Sequence, residues 1–385
     1  MFNILKKSKY NFSRAGEVIT NHGKFQTPVF MPPATKAAVK ALSPQDLQEI
    51  GIEIILVNAL HLHLRPTEEL INSFGGIHNY MGWPKTILSD SGGFQGWSFS
   101  QKRYSAKLGV LSKVTDKGIE FISPYDGSKH FIDAEKAIEI QFKIGSDIIM
   151  AFDDCSPNLD NKNYVKLSLE RTKKWALKSL KRFQELKKMA PENNTLIFGI
   201  VQGGSFLDLR LEALNFITSL PFDGLALGGE TIGYDMPRTL EILDALRSSI
   251  PYDKPLYTMG LGASPYDIIE VIKRGVDMFD CVSPARLARH GALYNGRLVI
   301  GDNSSGSDIS FESEYRKGLL KISNSCFAAD KFPIDHECNC YTCQNFSRAY
   351  LHHLYLIKEP LYFRLATWHN LYFITQLLHR LRENI

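Results

Sequence analysis

The chain of 385 residues is 44% hydrophobic and 22% charged and has a formal net charge of +4. These values are typical of a soluble globular protein. The length suits one large α/β domain with an insertion, or two ordinary domains. The mild charge excludes a polybasic tail, although a local basic face for nucleic acid is compatible with it.

The arrangement of the cysteines indicates both the kind of site and the redox compartment. Three of the six lie together in "CNCYTC" at 338–343, which favours a metal site over a disulfide framework and indicates a reducing compartment. The N-terminal segment has no signal-peptide pattern, and no apolar run approaches the roughly 18 residues that span a membrane. We therefore expect a cytoplasmic protein with no membrane partner.

Eight short apolar runs follow one another along the chain, with helical segments between them. Most lack polar alternation, as expected for strands that are buried on both faces of a parallel sheet. The runs cover residues 27–33, 52–58, 86–90, 147–154, 196–204, 224–229, 255–260 and 276–282. The intervening segments open near Ser, Asp or Pro, and several end at Gly, as helices do. The pattern predicts an α/β fold, a (β/α)8 TIM barrel, with a doubly wound sheet as the alternative.

Two regions depart from this alternation. Residues 166–188 form a strongly basic predicted helix, which we interpret as a solvated outer face in preference to an RNA contact. Residues 302–359 interrupt the pattern after the last strand and are predicted to form an inserted zinc-binding subdomain. The barrel body then covers residues 1–301, and residues 360–385 form a last helix that returns to the barrel.

The cysteine cluster has the spacing C-x-C-x-x-C, formed by Cys338, Cys340 and Cys343. Three thiolates at this spacing can converge on one zinc ion, which commonly takes a histidine as fourth ligand. The spacing alone does not choose among the candidates, which are His336, His352, His353 and His369. A site with four protein ligands leaves no open position, so we expect one structural Zn²⁺.

Polar residues and glycines end most of the predicted strands, where barrel enzymes build their active sites. They are Asn58, Asp90, Asp153, Gln202, Gly228, Gly229 and Asp280, and Met259 ends a further strand. The segment "SDSGGFQ" at 89–95 has neither the lysine of a phosphate-binding P-loop nor the G-x-G-x-x-G of a dinucleotide site. Carboxylates suit a developing positive charge, as in glycosidic bond cleavage, where Asp90 and Asp280 are candidates for nucleophile and acid/base.

The remaining strand-end residues suit a flat heterocycle. Asp153 can accept hydrogen bonds from ring N–H and amino groups, while Gln202 and the backbone of Gly228–Gly229 can donate to a carbonyl oxygen. Phe94 and Met259 are suited to cover the two faces of such a ring. These features together are compatible with a pocket for a flat heterocycle.

Several motifs in one order resemble those of the bacterial tRNA-guanine transglycosylases. They are "SDSGGFQ", "FDDC", "IVQGG", "LALGG", "FDCVSPARLARHG" and "CNCYTC" followed by "ATWHN". The resemblance covers essentially the whole chain and implies a (β/α)8 barrel with a zinc subdomain, usually a homodimer. It also implies exchange of guanine at the anticodon wobble position of tRNA for a 7-deazaguanine, in queuosine biosynthesis. The implied partners are the anticodon stem-loop and either preQ1 or queuine.

The resemblance implies a role for each matching residue. Asp280 would be the nucleophile that holds the tRNA covalently, Asp90 the general acid/base, and His369 the fourth zinc ligand. The implied base pocket contains Ser91, Gly92, Gly93, Phe94, Asp153, Gln202, Gly228, Gly229, Glu230 and Met259. The implied RNA contacts are Gly260, Leu261, Gly262, Ala263, Ser264, Pro265, Arg286 and Arg289.

The segment "ETIGY" after "LALGG" departs from the family pattern. It has Glu230 where leucine is common and Tyr234 where glutamate is common. We expect the exchange chemistry to be kept and preQ1 to be the incoming base, with queuine as the alternative. Three other classes of protein fit the sequence less well. A non-catalytic tRNA-binding subunit would lack the two aspartates, and an archaeosine-type enzyme would carry further C-terminal domains. A zinc hydrolase would need histidines at the strand ends.

Overall fold

The computed structural model describes residues 2–93, 112–156, 161–229, 231–301 and 309–385. Eight parallel strands form its central sheet, in the order β4-β14-β13-β12-β11-β10-β6-β5. They are β4 (Val29–Met31), β5 (Ile54–Asn58), β6 (Thr86–Asp90), β10 (Ile148–Met150), β11 (Leu196–Val201), β12 (Gly224–Leu227), β13 (Leu256–Thr258) and β14 (Met278–Asp280). Backbone hydrogen bonds from Ala34 to Leu56 (2.6 Å) and from Leu56 to Pro32 (3.2 Å) join β4 to β5 and close the barrel. The predicted fold class is confirmed, and each strand lies within its predicted run.

Strand β5 shows why the runs are apolar throughout. Ile54 and Leu56 pack with the cluster that fills the barrel, whereas Ile55 and Val57 pack with the layer of surrounding helices. Successive side chains of a strand point to opposite faces of the sheet. Because both faces are buried, every position of the strand is apolar until its carboxyl end.

Helices α1 to α10 surround the strands or lie in the loops above them. They are α1 (Pro44–Ile50), α2 (Ala59–Leu64), α3 (Glu68–Ser73), α4 (Ile77–Met81), α5 (Ala134–Ile144), α6 (Lys162–Met189), α7 (Leu207–Thr218), α8 (Met236–Leu246), α9 (Pro265–Lys273) and α10 (Ser283–Arg289). Helix α1 illustrates the boundary signals. Ser43 and Asp46 cap each other's backbone N–H groups, and Gly51 ends the helix at φ 90°, which glycine adopts at little cost.

The predicted basic helix is α6, and many of its cations are paired with neighbouring acids. Arg171 binds Asp154, Lys173 binds Glu212, and Arg182 binds Glu139 and Glu185. These ion pairs agree with an outer, solvated face. Among the described residues, no helix has the length and apolar character that crossing a membrane would require.

Two small antiparallel sheets flank the barrel. The first, β1 (Phe2–Lys7), β2 (Arg14–Thr20) and β3 (Gly23–Thr27), adds Val18 and Phe25 to the cluster that fills the barrel. The second consists of β7 (Ser112–Val114), β8 (Ile119–Ile122) and β9 (Lys129–Ile132). The first sheet covers the amino ends of the barrel strands, so the carboxyl ends are the open side.

The C-terminal part contains two strand pairs and three helices. Strand β15 (Ala292–Tyr294) pairs with β18 (Leu319–Lys321), and β16 (Arg297–Ile300) pairs with β17 (Ile309–Glu312). The helices are α11 (Tyr341–Asn345), α12 (Arg348–Leu356) and α13 (Pro360–Glu383). The division at residue 302 stays a prediction; both strand pairs join residues that lie on its two sides.

Candidate active site

The two aspartates predicted to carry the chemistry end barrel strands on opposite sides of β4 and β5. Asp90 ends β6 beside Asn58 of β5, and Asp280 ends β14 beside Met31 of β4. Both are only partly buried, and the negative charges of Asp280 and Asp153 act on Asp90. The barrel therefore brings together three carboxylates that are far apart in the sequence.

Asp90 is held by neutral hydrogen-bond donors. Its Oδ2 accepts from the side-chain amide of Asn58 at 2.5 Å, and its Oδ1 accepts from the backbone N–H of Ala59 at 3.1 Å. Burial raises the pKa of Asp90 to about 7, with a smaller contribution from the charge of Asp280, and the hydrogen bonds only partly offset this. A carboxyl group with this pKa can both donate and accept a proton near neutral pH.

Asp280 is held by two donors on one oxygen. The Tyr257 hydroxyl donates to Oδ1 at 2.6 Å, and the backbone N–H of Gly260 donates to the same atom at 3.1 Å. Burial raises the pKa of Asp280, whereas these two hydrogen bonds lower it. Since both donors bind Oδ1, Oδ2 is the oxygen that faces away from them.

Asp153 follows β10 and lies near Asp90, and two side chains fix its carboxylate. Ser91 donates to its Oδ1 at 2.9 Å, and Gln202 donates to its Oδ2 at 2.7 Å. All three residues are buried, and burial raises the pKa of Asp153 to about 6. A Cβ at Gly93 would lie 2.6 Å from the Asp153 carboxylate, so only glycine lets the backbone approach so closely.

Gly228 and Gly229, which directly follow β12, line the next part of the candidate site. A Cβ at Gly228 would lie 2.8 Å from the Gln202 amide nitrogen and 3.4 Å from the Met259 sulfur. Behind them, the buried Arg210 donates to the carbonyl oxygens of Val201 and Gly228, both at 2.8 Å. The guanidinium of Arg210 thus fixes the backbone at the ends of β11 and β12. Burial lowers the pKa of Arg210 to about 10.

The predicted RNA-binding residues follow β13 and β14. Arg286 is exposed and Arg289 is partly exposed on α10, directly after Asp280. In the loop after Met259, Gly260, Ala263 and Ser264 are partly exposed, whereas Leu261, Gly262 and Pro265 are buried. Phe94 and Glu230 lie outside the described residues.

The cysteine cluster is separate from these carboxylates. Each thiol sulfur of Cys338, Cys340 and Cys343 lies 3.4–3.7 Å from Nδ1 of His369 on α13, and all four residues are buried. The Nε2 of His369 is 2.7 Å from the Tyr294 carbonyl oxygen. That hydrogen bond places the ring proton on Nε2 and leaves Nδ1 free to ligate. The four groups could hold one metal ion, and His352 instead contacts the Ile322 carbonyl.

Sequence reasoning did not single out Tyr257, Arg210 or the carboxylate-binding role of Gly260. Tyr257 lies inside an apolar run, and Arg210 lies on the amphipathic helix α7. The only signal was positional, since Tyr257 and Gly260 flank the end of β13. Neither residue type predicts a contact with a particular aspartate on the next strand.

The fold and the strand-end carboxylates define a (β/α)8-barrel enzyme with a separate Cys3His centre, and its relatives define the reaction class. A profile of the family described as "Queuine tRNA-ribosyltransferase" matches residues 9–385. The chain is 44% identical over 384 residues to the queuine tRNA-ribosyltransferase of Caldanaerobacter subterraneus subsp. tengcongensis, covering 100% of this chain and 93% of that one. It is 42% identical over 386 residues to that of Streptococcus thermophilus, covering 100% and 92%. The chain belongs to the queuine tRNA-ribosyltransferase family and is a pentosyltransferase.

Proposed function

We propose that this enzyme exchanges guanine at the anticodon wobble position of tRNA for a 7-deazaguanine, with preQ1 as the incoming base. One observation carries the proposal: two partly buried strand-end carboxylates, Asp90 and Asp280, lie beside a third, Asp153, which is fixed by Ser91 and Gln202. This arrangement supports cleavage of a glycosidic bond next to a site for a polar, flat base.

In the proposed first step, Oδ2 of Asp280 attacks C1′ of the ribose. A C1′–O bond forms while the C1′–N9 bond to guanine breaks, and the departing guanine takes the proton held by Asp90. The Tyr257 hydroxyl and the Gly260 N–H hold the carboxylate by its other oxygen, which leaves Oδ2 free to react. The tRNA is then covalently joined to Asp280.

In the second step the incoming base reverses these events. Its N9–H proton passes to the ionised Asp90, N9 attacks C1′, and the bond to Asp280 breaks with overall retention. A pKa of about 7 for Asp90 supports both directions of proton transfer at neutral pH, because neither form is strongly favoured. No group beyond the two carboxylates is needed to balance the protons.

The base would be read by Asp153, Gln202 and the backbone at Gly229. Each Asp153 oxygen accepts one described hydrogen bond, so each keeps capacity for a ring N–H or an amino group. Met259, beside Gly228, supports stacking on one ring face. Ser91, Gly92, Gly93 and Gly228 would complete the pocket, with Phe94 and Glu230 as further proposed members.

Queuine as the preferred incoming base is the second candidate. Tyr234 lies in the segment "ETIGY", which differs from the family pattern. It is 79% exposed and could border a wider entrance to the base pocket. The names of these relatives also refer to queuine. Competition of preQ1 against queuine for release of labelled guanine from tRNA separates the two, and equal or better use of preQ1 contradicts the queuine alternative.

The tRNA would be bound through its anticodon stem-loop. The target nucleotide must leave the base stack to reach Asp280, as in other enzymes that act on flipped bases. Arg286 and Arg289 would contact the flanking nucleotides, together with the loop of residues 260–265. We further propose a cytoplasmic homodimer, as the family resemblance implies.

The Cys3His cluster would hold one structural Zn²⁺. Three buried thiolates and an imidazole with its tautomer set by Tyr294 match a closed tetrahedral site. Cys340→Ser should lower the bound zinc below one equivalent per chain and lower the melting temperature. Unchanged zinc content, measured by atomic emission, contradicts the assignment.

The covalent intermediate is the direct test of the mechanism. Enzyme incubated with tRNA and a base analogue, then denatured, should leave an RNA–protein species that migrates more slowly on a denaturing gel. Asp280→Asn should leave none. Asp244→Asn, an exposed carboxylate paired with Arg274, is a matched control that should behave like the wild type. Normal exchange by Asp280→Asn would falsify the mechanism.

A further inference from the structure

A second cluster of metal-ligating side chains lies at the amino ends of the barrel strands, away from the carboxylates described above. It consists of His22, in the turn between β2 and β3, His78 in α4, and Asp147, just before β10. His22 Nδ1 is 2.8 Å from Asp147 Oδ1, and His78 Nε2 is 3.0 Å from Asp147 Oδ2. The three potential ligand atoms all lie within 4.8 Å of one another.

We propose that His22, His78 and Asp147 form a second metal site, which takes a divalent transition metal such as Zn²⁺, Co²⁺ or Cu²⁺. Two imidazole nitrogens and one carboxylate are a donor set that these ions prefer, whereas Mg²⁺ and Ca²⁺ prefer oxygen ligands alone. The proposal is independent of base exchange, because none of the three residues has a part in that reaction.

The surroundings of Asp147 support a preorganised ligand. Its side chain is fully buried, and it also accepts the backbone N–H of Ile87 at 2.9 Å and that of His22 at 3.2 Å. Hydrogen bonds of this kind fix the orientation of a ligating carboxylate. Because these donors come from the backbone, they stay in place when a metal replaces the two ring N–H groups.

Metal binding requires one movement, and the structure indicates which ring makes it. The rings of His22 and His78 are stacked, with centroids 3.4 Å apart and planes 12° apart. Parallel rings direct their nitrogen lone pairs side by side, so one ring must turn for both to reach one ion. His22 is the mobile partner, since its side chain is 38% exposed against 7% for His78, and it precedes Gly23 (φ 103°) in the hairpin turn.

The exposure of His22 also predicts how this site differs from the Cys3His cluster. Three protein ligands and an opening to solvent leave positions for water, so the second metal should bind more weakly and exchange faster. Binding would release the protons from His22 Nδ1 and His78 Nε2 to solvent. The bound ion would link the N-terminal sheet to α4 and β10, and should therefore raise the melting temperature.

The test uses untagged, full-length protein that carries one equivalent of Zn²⁺, titrated with Co²⁺. We expect one further equivalent to bind with visible d–d absorption and without the near-ultraviolet sulfur-to-cobalt band that a thiolate site gives. His22→Ala should weaken this binding by about tenfold or more, since it removes one of three protein ligands, and should abolish the Co²⁺-dependent rise in melting temperature. His379→Ala, an exposed histidine near Glu383 on α13, is the matched control and should not change the binding.

Two outcomes would overturn the proposal. One is a titration that ends with no Co²⁺ bound outside the thiolate site. The other is a second equivalent whose affinity is the same in His22→Ala as in the wild type. His22→Ala leaves the buried pair of Asp147 and His78 in place, so its melting temperature without added metal reports separately whether the variant is folded.

Discussion

Strand β14 has an aspartate at each end, and the two lie in opposite surroundings. Asp277 precedes the strand, is fully buried, and binds Arg14 through two hydrogen bonds of 2.9 and 2.6 Å. Asp280 ends the strand, is partly exposed, and accepts hydrogen bonds from the neutral donors Tyr257 and Gly260. In the sequence, these two residues of the same type are three positions apart, and nothing beside them tells their surroundings apart.

The same contrast recurs on β10. Asp147, at its amino end, accepts four hydrogen bonds, two of them from histidine rings, and joins the N-terminal sheet to the barrel. Asp153, beyond its carboxyl end, accepts one described hydrogen bond on each oxygen. Carboxylates at the covered end are saturated with donors and hold segments together. Those at the open end keep lone pairs for a substrate, and burial raises their pKa.

The largest expected effect is the loss of activity in Asp280→Asn. Removal of a nucleophile should lower the rate of base exchange by at least about 10⁴-fold, whereas the free energy of unfolding should not fall, because the amide oxygen still accepts from Tyr257. Incorporation of labelled guanine into tRNA and urea unfolding at pH 7 measure the two quantities. Exchange within tenfold of the wild-type rate, or a large loss of stability, contradicts the assignment of Asp280 to the open, reactive end.

The counterpart on the same strand is Asp277→Asn, for which the expectations are reversed. The change leaves the Arg14 guanidinium buried without its anionic partner, which should cost about 3–5 kcal/mol of stability. Below its melting temperature the variant should exchange guanine at near the wild-type rate. The double variant Asp277→Asn with Arg14→Met should recover part of the loss, because the uncompensated charge is gone. Loss of exchange in the fully folded variant would contradict a purely structural role.

A smaller effect is expected from Tyr257→Phe. The hydroxyl that donates to Asp280 lowers the pKa of that carboxyl, so its removal should raise this pKa. Because the ionised form attacks, the acidic limb of the profile of kcat/KM against pH should move to higher pH, and kcat should fall about tenfold for one hydrogen bond to a charged group. Tyr362→Phe removes another buried hydroxyl, which donates to the Ala288 carbonyl, and should leave the profile unmoved. If the profile of kcat/KM against pH were the same in Tyr257→Phe and Tyr362→Phe, Tyr257 would have no role in setting the pKa of Asp280.

The barrel and the carboxylates at the open ends of its strands were predictable from the sequence, but the hydrogen-bond partners of each aspartate were not. A strand that is buried on both faces must be apolar until its end, so the runs and the polar residues that follow them are visible without a structure. By contrast, Asp277 and Asp147 fall at the beginning of predicted strand runs, and nothing in the sequence indicates their partners. Their partners, Arg14 and His22, are 263 and 125 positions away in the chain.

Tyr257 and Arg210 escaped prediction for a related reason. A tyrosine in an apolar run is typical of a core residue, and an arginine in an amphipathic helix is typical of a surface residue. Only closure of the barrel places the Tyr257 hydroxyl against the neighbouring strand's Asp280, and the Arg210 guanidinium beneath Gly228. The choice of His369 among four histidines came from the family resemblance, and the structure brings that residue to the three cysteines.

A further expected change in stability, smaller than that of Asp277→Asn, is at the open end and has a defined pH dependence. Burial raises the pKa of Asp90 from 3.8 to about 7 in the folded protein. Between these two pH values the folded state holds a proton that the unfolded chain has released, so this group makes the wild type less stable as the pH rises. Asp90→Asn cannot ionise and should therefore be more stable than the wild type above pH 7, by about 1–2 kcal/mol once the partial exposure of the carboxyl is allowed for.

This gain should be near zero at a pH of about 4, grow through pH 5 and 6, and level off above about 7. Urea unfolding of both proteins at several pH values measures it, with the exposed Asp253→Asn as a control that should show no such trend. Base exchange should be lost in the same variant, because in the proposed mechanism Asp90 donates a proton to the departing guanine. A variant that is less stable than the wild type at pH 8 would place Asp90 with Asp277 and Asp147, among the carboxylates that hold the fold together. A more stable, inactive variant would show that the open end trades stability for a reactive carboxyl group.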